Sequence, residues 1–205
     1  MLPLIIGLAV FFLIHLLPTA PDLRQGLIDR FGKGPYLAVF SLISAIGLVL
    51  IVLGFAKLQV MPGKNPVLWI PPHWMRHVTM TLMAFAFVLL AAAYIPSRIR
   101  TAVRHPMLAA IKLWALGHLL VNGDLGSIVL FGSFLAWAIY DRISVKRRAT
   151  LAPGQQGLGP LGTRTSGAMG DVAVVAVGLG LYTAMLMWGH AALIGVPLIT
   201  PIGAH

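Results

Sequence analysis

Six long apolar stretches occupy most of this chain and constrain its fold more than any other feature. They cover residues 2–17, 36–56, 75–95, 106–121, 125–140 and 172–196. A helix needs about 20 mostly apolar residues to cross a bilayer. Hydrophobic residues make up 59% of the 205 residues, more than the roughly half expected of a soluble domain. The pattern predicts an all-α bundle of six transmembrane helices, forming a single domain over residues 1–205.

Basic residues are concentrated in alternate connections between these stretches, which predicts an orientation. Connections one, three and five hold eleven Lys and Arg residues, and three more lie in or beside connection two. Short cytoplasmic loops of membrane proteins carry an excess of Lys and Arg, so we predict that both termini face outward. Residues 144–170, rich in Gly and Pro after a basic start, are predicted to form a cytoplasmic loop, either a flexible linker or a strap on the membrane surface.

The net charge of +10 follows from the same distribution. A basic chain can bind nucleic acid, but here the Lys and Arg residues flank apolar spans. The expected partner is therefore the anionic lipid bilayer and not nucleic acid. The chain has no Cys and only five acidic residues, all Asp, which excludes thiolate chemistry.

The histidines are the main candidates for chemistry, because an ionisable side chain inside a membrane is costly and marks a functional site. His15 lies in the first span and His118 in the fourth, with Trp114 one turn before and Asn122 one turn after on the same helical face. Imidazole is a common ligand of haem iron, and no Cys or Glu competes for that role here. We therefore predict haem b held by His15 and His118, with Trp114 and Asn122 beside it. The simpler alternative is a neutral histidine that only hydrogen-bonds between helices.

The sequence alone does not determine the second ligand of the haem iron. In the predicted topology His15 and His118 differ in depth by about 10 Å along the membrane normal, given a rise of about 1.5 Å per helical residue. His77 is the leading substitute, with Arg76 beside a haem propionate, and His190 is a further candidate. Lys112, about two turns into the fourth span, either extends toward the cytoplasm or neutralises a propionate.

Zinc is a weaker interpretation of the histidine pattern. His73 and His77 have the i, i+4 spacing that places two ligands on one helical face. No third ligand is close in sequence, and the carboxylate that activates water in zinc hydrolases is absent.

Several motifs in the chain resemble the NnrU family. They are Arg104-His105-Pro106-Met107, the run from Leu113 to Asp124, the run from Pro71 to His77, the run from Phe131 to Trp137, and Asp141-Arg142. NnrU proteins are bacterial inner-membrane proteins associated with nitrogen-oxide metabolism, especially denitrification. The family is related to the plant zeta-carotene isomerase, a membrane enzyme that uses haem b held by histidines. The resemblance implies a bacterial cytoplasmic membrane, and it matches His15 and His118 to that relative's histidines.

The chain departs from its relatives at informative positions. The plant isomerase carries a Cys three residues before its second histidine, whereas this chain has Ala115, so a thiolate ligand switch is excluded, which counts against carotenoid isomerisation. The Arg-His-Pro motif also resembles one in isoprenylcysteine-type methyltransferases. Tyr and Gly follow it there, and Glu residues come later, but here Met107 and Leu108 follow and there is no Glu.

We therefore expect a membrane haem b protein with a redox or nitric oxide-related role and a redox partner. The alternatives are a non-catalytic assembly factor, or a membrane enzyme of the isomerase or isoprenylcysteine-methyltransferase type. A transporter is disfavoured because the spans hold few polar residues near mid-membrane.

Overall fold

The computed structural model describes residues 1–151 and 167–198, and these residues are almost entirely helical. The helices are α1 (Leu2–Leu16), α2 (Pro21–Phe31), α3 (Lys33–Val60), α4 (Met75–Tyr94), α5 (Arg98–Val103), α6 (Pro106–Val121), α7 (Leu125–Leu151), α8 (Ala168–Ala184) and α9 (His190–Ile194). A 3-10 turn, Leu17–Thr19, follows α1, and a π-helical turn, Met185–Gly189, joins α8 to α9. The predicted all-α fold is confirmed.

Helix length and composition support a multi-pass membrane protein. Within the described ranges, five helical segments are long and apolar enough to cross a membrane: Leu2–Thr19, Lys33–Val60, Met75–Tyr94, Leu125–Arg147 and Ala168–Ile194. The sixth predicted span, Pro106–Val121, is a helix of 16 residues. Its length is about 24 Å, which is shorter than a typical hydrocarbon core of about 30 Å.

The connections differ from the sequence prediction in two respects. The predicted loop 144–170 is wrong at its start, because α7 continues to Leu151. The predicted span ended at residue 140, where the charged residues begin. Residues 144–151 nevertheless contain no Gly or Pro, and Lys and Arg are good helix formers in water. The remainder of that loop, residues 152–166, lies outside the described residues. The basic connections one and three contain the short helices α2 and α5, which hydropathy does not predict.

Backbone contacts divide the chain into two compact units, Met1–Pro71 with Asn122–Arg148 and Pro72–Val121 with Ala149–His205. In the first unit, α1 and α3 pack closely along glycines. A Cβ added at Gly54 would lie 2.5 Å from the Leu4 nitrogen, and one at Gly7 would lie 2.6 Å from the Ile51 nitrogen. Small residues allow this approach, and dispersion over the long contact stabilises the pair in lipid.

The second unit is organised around α4, which contacts both α6 and α8. Its buried core is formed by Ala91, Ala92 and Val174. The Thr79 hydroxyl of α4 donates a hydrogen bond of 2.9 Å to the Gly117 carbonyl of α6. At the other end of α4, the Asp171 carboxylate of α8 accepts a hydrogen bond of 2.7 Å from the Arg98 backbone nitrogen and so caps α5. The first of these contacts joins α6 to α4 next to His118, and the second joins α8 to the start of α5.

Candidate functional site

Three intramembrane histidines are anchored in the same way. Nδ1 of His15 lies 2.7 Å from the Phe11 carbonyl oxygen, and Nδ1 of His118 lies 2.8 Å from the Trp114 carbonyl oxygen, each one turn earlier in its helix. Nδ1 of His190 lies 2.6 Å from the Val196 carbonyl oxygen. A carbonyl only accepts hydrogen bonds, so Nδ1 carries the proton in the neutral ring and Nε2 keeps its lone pair. This is the tautomer in which an imidazole binds iron through Nε2.

His118 occupies a half-buried position on α6 in the second unit. The Trp114 ring lies beside it, with ring centroids 5.4 Å apart. The preceding residue, Gly117, accepts the Thr79 hydrogen bond, and a Cβ added there would lie 2.6 Å from the Met83 methyl carbon. The imidazole is therefore carried by a helix segment that tight packing holds against α4.

His190 belongs to the same unit as His118, and the two interact electrostatically. The π-helical turn Met185–Gly189 immediately precedes it, and Gly195 closes the following turn in a left-handed conformation (φ 80°). Single π-helical turns within α-helices occur frequently at functional sites, because they change the direction in which the following side chains point. The second unit thus contains two imidazoles that are each anchored through Nδ1.

The other predicted residues of the second unit have different surroundings. His77 and Arg76 are exposed in the first turn of α4. Lys112 is half-buried on α6, six residues before His118. Six residues correspond to about 120° around a helix, so Lys112 and His118 lie on different faces. Trp114 is therefore the predicted cofactor-site residue that the structure places directly against His118.

His15 belongs to the first unit and is surrounded by aromatic rings. Phe11 stacks on it at 4.0 Å between centroids, Phe40 lies at 5.2 Å, and Trp137 meets it edge-on at 5.7 Å. Asp141, one turn after Trp137 on α7, interacts with it electrostatically. Asn122 also falls in this unit, at the start of the connection to α7. The predicted ligands His15 and His118 therefore belong to different compact units.

Metal coordination by three or more side chains finds no support. Among the described residues, no group of at least three His, Cys, Asp or Glu side chains has an arrangement that could hold a metal ion. His73 and His77 are therefore not part of such a group in the described part of the chain. Haem needs only one or two protein ligands, because the porphyrin supplies four nitrogens, so this finding does not bear on haem.

A polar cluster at the start of α7 was not predicted from the sequence. The Asp124 carboxylate accepts hydrogen bonds from the Asn65 amide (2.7 Å), the Gln59 amide (3.3 Å), and the Ser127 nitrogen and hydroxyl (2.9 and 2.6 Å). Burial raises the pKa of Asp124, but the hydrogen bonds from Ser127, Asn65 and Gln59 together outweigh it, so the pKa lies below its ordinary value.

This cluster fixes the connection between α3 and α4 to the start of α7. Leu68 donates a backbone hydrogen bond of 2.8 Å to Gly123, Leu125 donates one of 2.9 Å to Pro66, and Val67 forms a β-bridge with Asp124. The spacing Asp124-x-x-Ser127 is a local signal for a helix cap. The Asn65 contact spans 59 residues, and no local pattern indicates it.

The fold and the anchored histidines define a multi-pass helical membrane protein with candidate ligands inside its spans. The family model for NnrU protein matches residues 3–198. The chain therefore belongs to the NnrU family. No curated protein matches the chain, and no solved structure matches it.

Proposed function

We propose that this protein binds haem b through His118 in a bacterial cytoplasmic membrane, with both termini outside, and serves nitrogen-oxide metabolism in a redox or nitric oxide-related role. The observation that supports this most is the geometry of His118. Its Nδ1 is tied to the Trp114 carbonyl, so Nε2 keeps the lone pair that binds iron. A haem bound there would supply one-electron transfer and an iron centre that coordinates nitric oxide.

His190 is the second axial ligand that the observations favour. It belongs to the same unit as His118, interacts with it electrostatically, and is anchored through Nδ1 in the same manner. His77, the other substitute in that unit, is exposed and lies next to the exposed Arg76. His15 is the ligand that the family resemblance implies, and it is tested alongside the other two. Trp114 would pack against the macrocycle and Arg76 would be the candidate partner of a propionate, whereas Lys112 lies on a different face of α6 from His118.

The test is the absorption spectrum of protein purified in mild detergent from haem-replete cells. We expect a Soret band that shifts when dithionite is added. His118→Ala should abolish the band, whereas His73→Ala, which alters an exposed histidine ahead of α4, should retain it. An undiminished band in the His118→Ala variant would overturn the ligand assignment.

If the protein is instead a non-catalytic assembly factor, a different result is expected. A colourless, folded protein from haem-replete cells that leaves the Soret band of added haemin unshifted would favour that role. If the band is present, nitric oxide is added to the reduced protein. A spectral shift would support gas binding. An unchanged spectrum with reversible dithionite reduction would restrict the role to electron transfer.

A further inference from the structure

The first unit has an apolar groove that the haem proposal does not use. It has a volume of about 430 Å³ and runs between α1 and α7. The side chains lining it are Ile5, Leu8, Ala9, Phe12, Leu13, Leu16, Val129 and Ser133. The volume falls within the roughly 300–1,000 Å³ of small-molecule sites. Its residues on α1 extend over about 17 Å of helix, given the rise of about 1.5 Å per residue.

One end of this groove adjoins the aromatic cluster around His15. Phe12 lines the groove and also contacts Phe134 and Trp137, at 5.0 and 5.9 Å between ring centroids. Trp137 in turn meets the His15 ring edge-on. An elongated apolar molecule lying in the groove would therefore bring one end against flat aromatic surfaces and a histidine.

Polar atoms in this cluster indicate the chemistry of that end. Trp137 Nε1 is buried and has no hydrogen-bond partner among the described residues. A buried N–H without an acceptor is unfavourable, so a ligand oxygen at this point would be stabilising. His15 has its Nδ1 on the Phe11 carbonyl, so Nε2 is the ring atom that can accept a hydrogen bond. A lipid acyl chain has no oxygen atom that could accept the Trp137 hydrogen bond at this position.

We propose that the groove and the His15 cluster bind a membrane quinone. The apolar tail lies along α1 and α7, and the head group packs against Phe12 at the edge of the ring cluster that Phe134 and Trp137 complete. A ring carbonyl accepts the Trp137 Nε1 hydrogen bond, and a hydroxyl of the reduced form donates to His15 Nε2. Benzoquinones and naphthoquinones share this flat, oxygen-bearing head group. The observations therefore indicate a quinone but do not distinguish between these two ring systems. The proposal goes beyond haem binding and does not depend on it, because every residue involved lies in the first unit.

The test measures binding of two probes, a short-tailed ubiquinone and a short-tailed menaquinone, to the full-length protein in detergent. Bound quinone is extracted after size exclusion and quantified by its absorbance. We expect saturable binding of at least one probe near one per chain. Trp137→Phe removes one hydrogen bond and should weaken binding by about five- to tenfold. Trp188→Phe, which changes an exposed tryptophan of the second unit, should bind like the wild type.

Further variants separate this proposal from the haem proposal. The His118→Ala protein should still bind quinone, even if its Soret band is gone, and His15→Ala should weaken quinone binding but keep the band. Equal affinities for wild type and Trp137→Phe would overturn the inference, and so would loss of the Soret band in His15→Ala. It would also be overturned if a quinone-free phospholipid displaced the probe at equal concentration, because the groove would then be a lipid contact.

Discussion

His15 in the first unit and His118 in the second are anchored alike but have different neighbours. Each donates Nδ1–H to the carbonyl one turn earlier, so each keeps its Nε2 lone pair. His15 is enclosed by Phe11, Phe40 and Trp137 beside an apolar groove. His118 follows the hydrogen bond between α4 and α6 and interacts electrostatically with His190. The comparison teaches that an intramembrane histidine does not by itself define a metal ligand. In our proposals, the second imidazole in the same unit is the reason for assigning haem iron to His118 and an organic head group to His15.

The two units also differ in how their helices are held together. In the first unit, α1 and α3 approach backbone to backbone at glycines, with no side-chain hydrogen bond needed. In the second, α4 and α6 share the hydrogen bond from Thr79 to Gly117. Where two backbones are in contact, the helices cannot accommodate an added side chain without separating. A single hydrogen bond between membrane helices, in contrast, adds only modestly to the free energy of unfolding. Substitutions in the two units should therefore differ in magnitude.

The largest effect is expected from Gly54→Val. The Cβ alone would lie 2.5 Å from the Leu4 nitrogen, so α1 and α3 must separate. Overpacking costs about 1–3 kcal/mol, and occasionally more, of unfolding free energy. We expect a large loss of monodisperse protein in size exclusion. Gly180→Val is the matched control in the second unit, because nothing lies within 4 Å of the added Cβ. Equal yields of the two variants would contradict the close approach of α1 and α3.

A smaller effect is expected from Asp124→Ala, which removes the helix cap of α7 and the acceptor for Asn65 and Gln59. Loss of such a cap costs about 0.5–2 kcal/mol. The thermal midpoint in detergent should fall at pH 7, and it should fall less for Asp22→Asn, which alters an exposed acid on α2.

The same cluster predicts a pH dependence. The pKa of Asp124 is lower in the folded protein than in the unfolded chain. Its stabilisation is therefore complete above the unfolded pKa, and it is lost as the pH falls through the folded pKa. The wild type and Asp124→Ala should converge in thermal midpoint toward acid pH. A constant difference from neutral to strongly acidic pH would show that the carboxylate charge is not the stabilising group.

The smallest effect is expected from Thr79→Val, which is nearly isosteric and removes the hydrogen bond to Gly117. Hydrogen bonds between membrane helices average about 0.6 kcal/mol. We expect a shift of a few degrees at most in the thermal midpoint, with the haem content unchanged. A marked loss of haem would show that this bond positions His118 and does more than join α4 to α6.

The sequence predicted the long elements well because hydropathy and proline determine them locally. The helix at 106–121 was predicted with its observed bounds, and α4 differs by one residue. The short helices α2 and α5 were missed because their apolar residues are too few to produce a hydropathy signal. The histidines were identified because imidazole in an apolar span is unusual. The electrostatic interaction of His190 with His118 depends on tertiary packing, as does the contact between Asn65 and Asp124.

The most direct test of the central claim compares the haem content of His190→Ala and His15→Ala, each measured as haem iron per chain. If His118 and His190 hold the iron in the second unit, His190→Ala should lose most of its haem or show a changed axial-ligand spectrum. His15→Ala should then keep both the wild-type ratio and the wild-type spectrum. The opposite result, with haem lost from His15→Ala and retained unchanged in His190→Ala, would contradict the account.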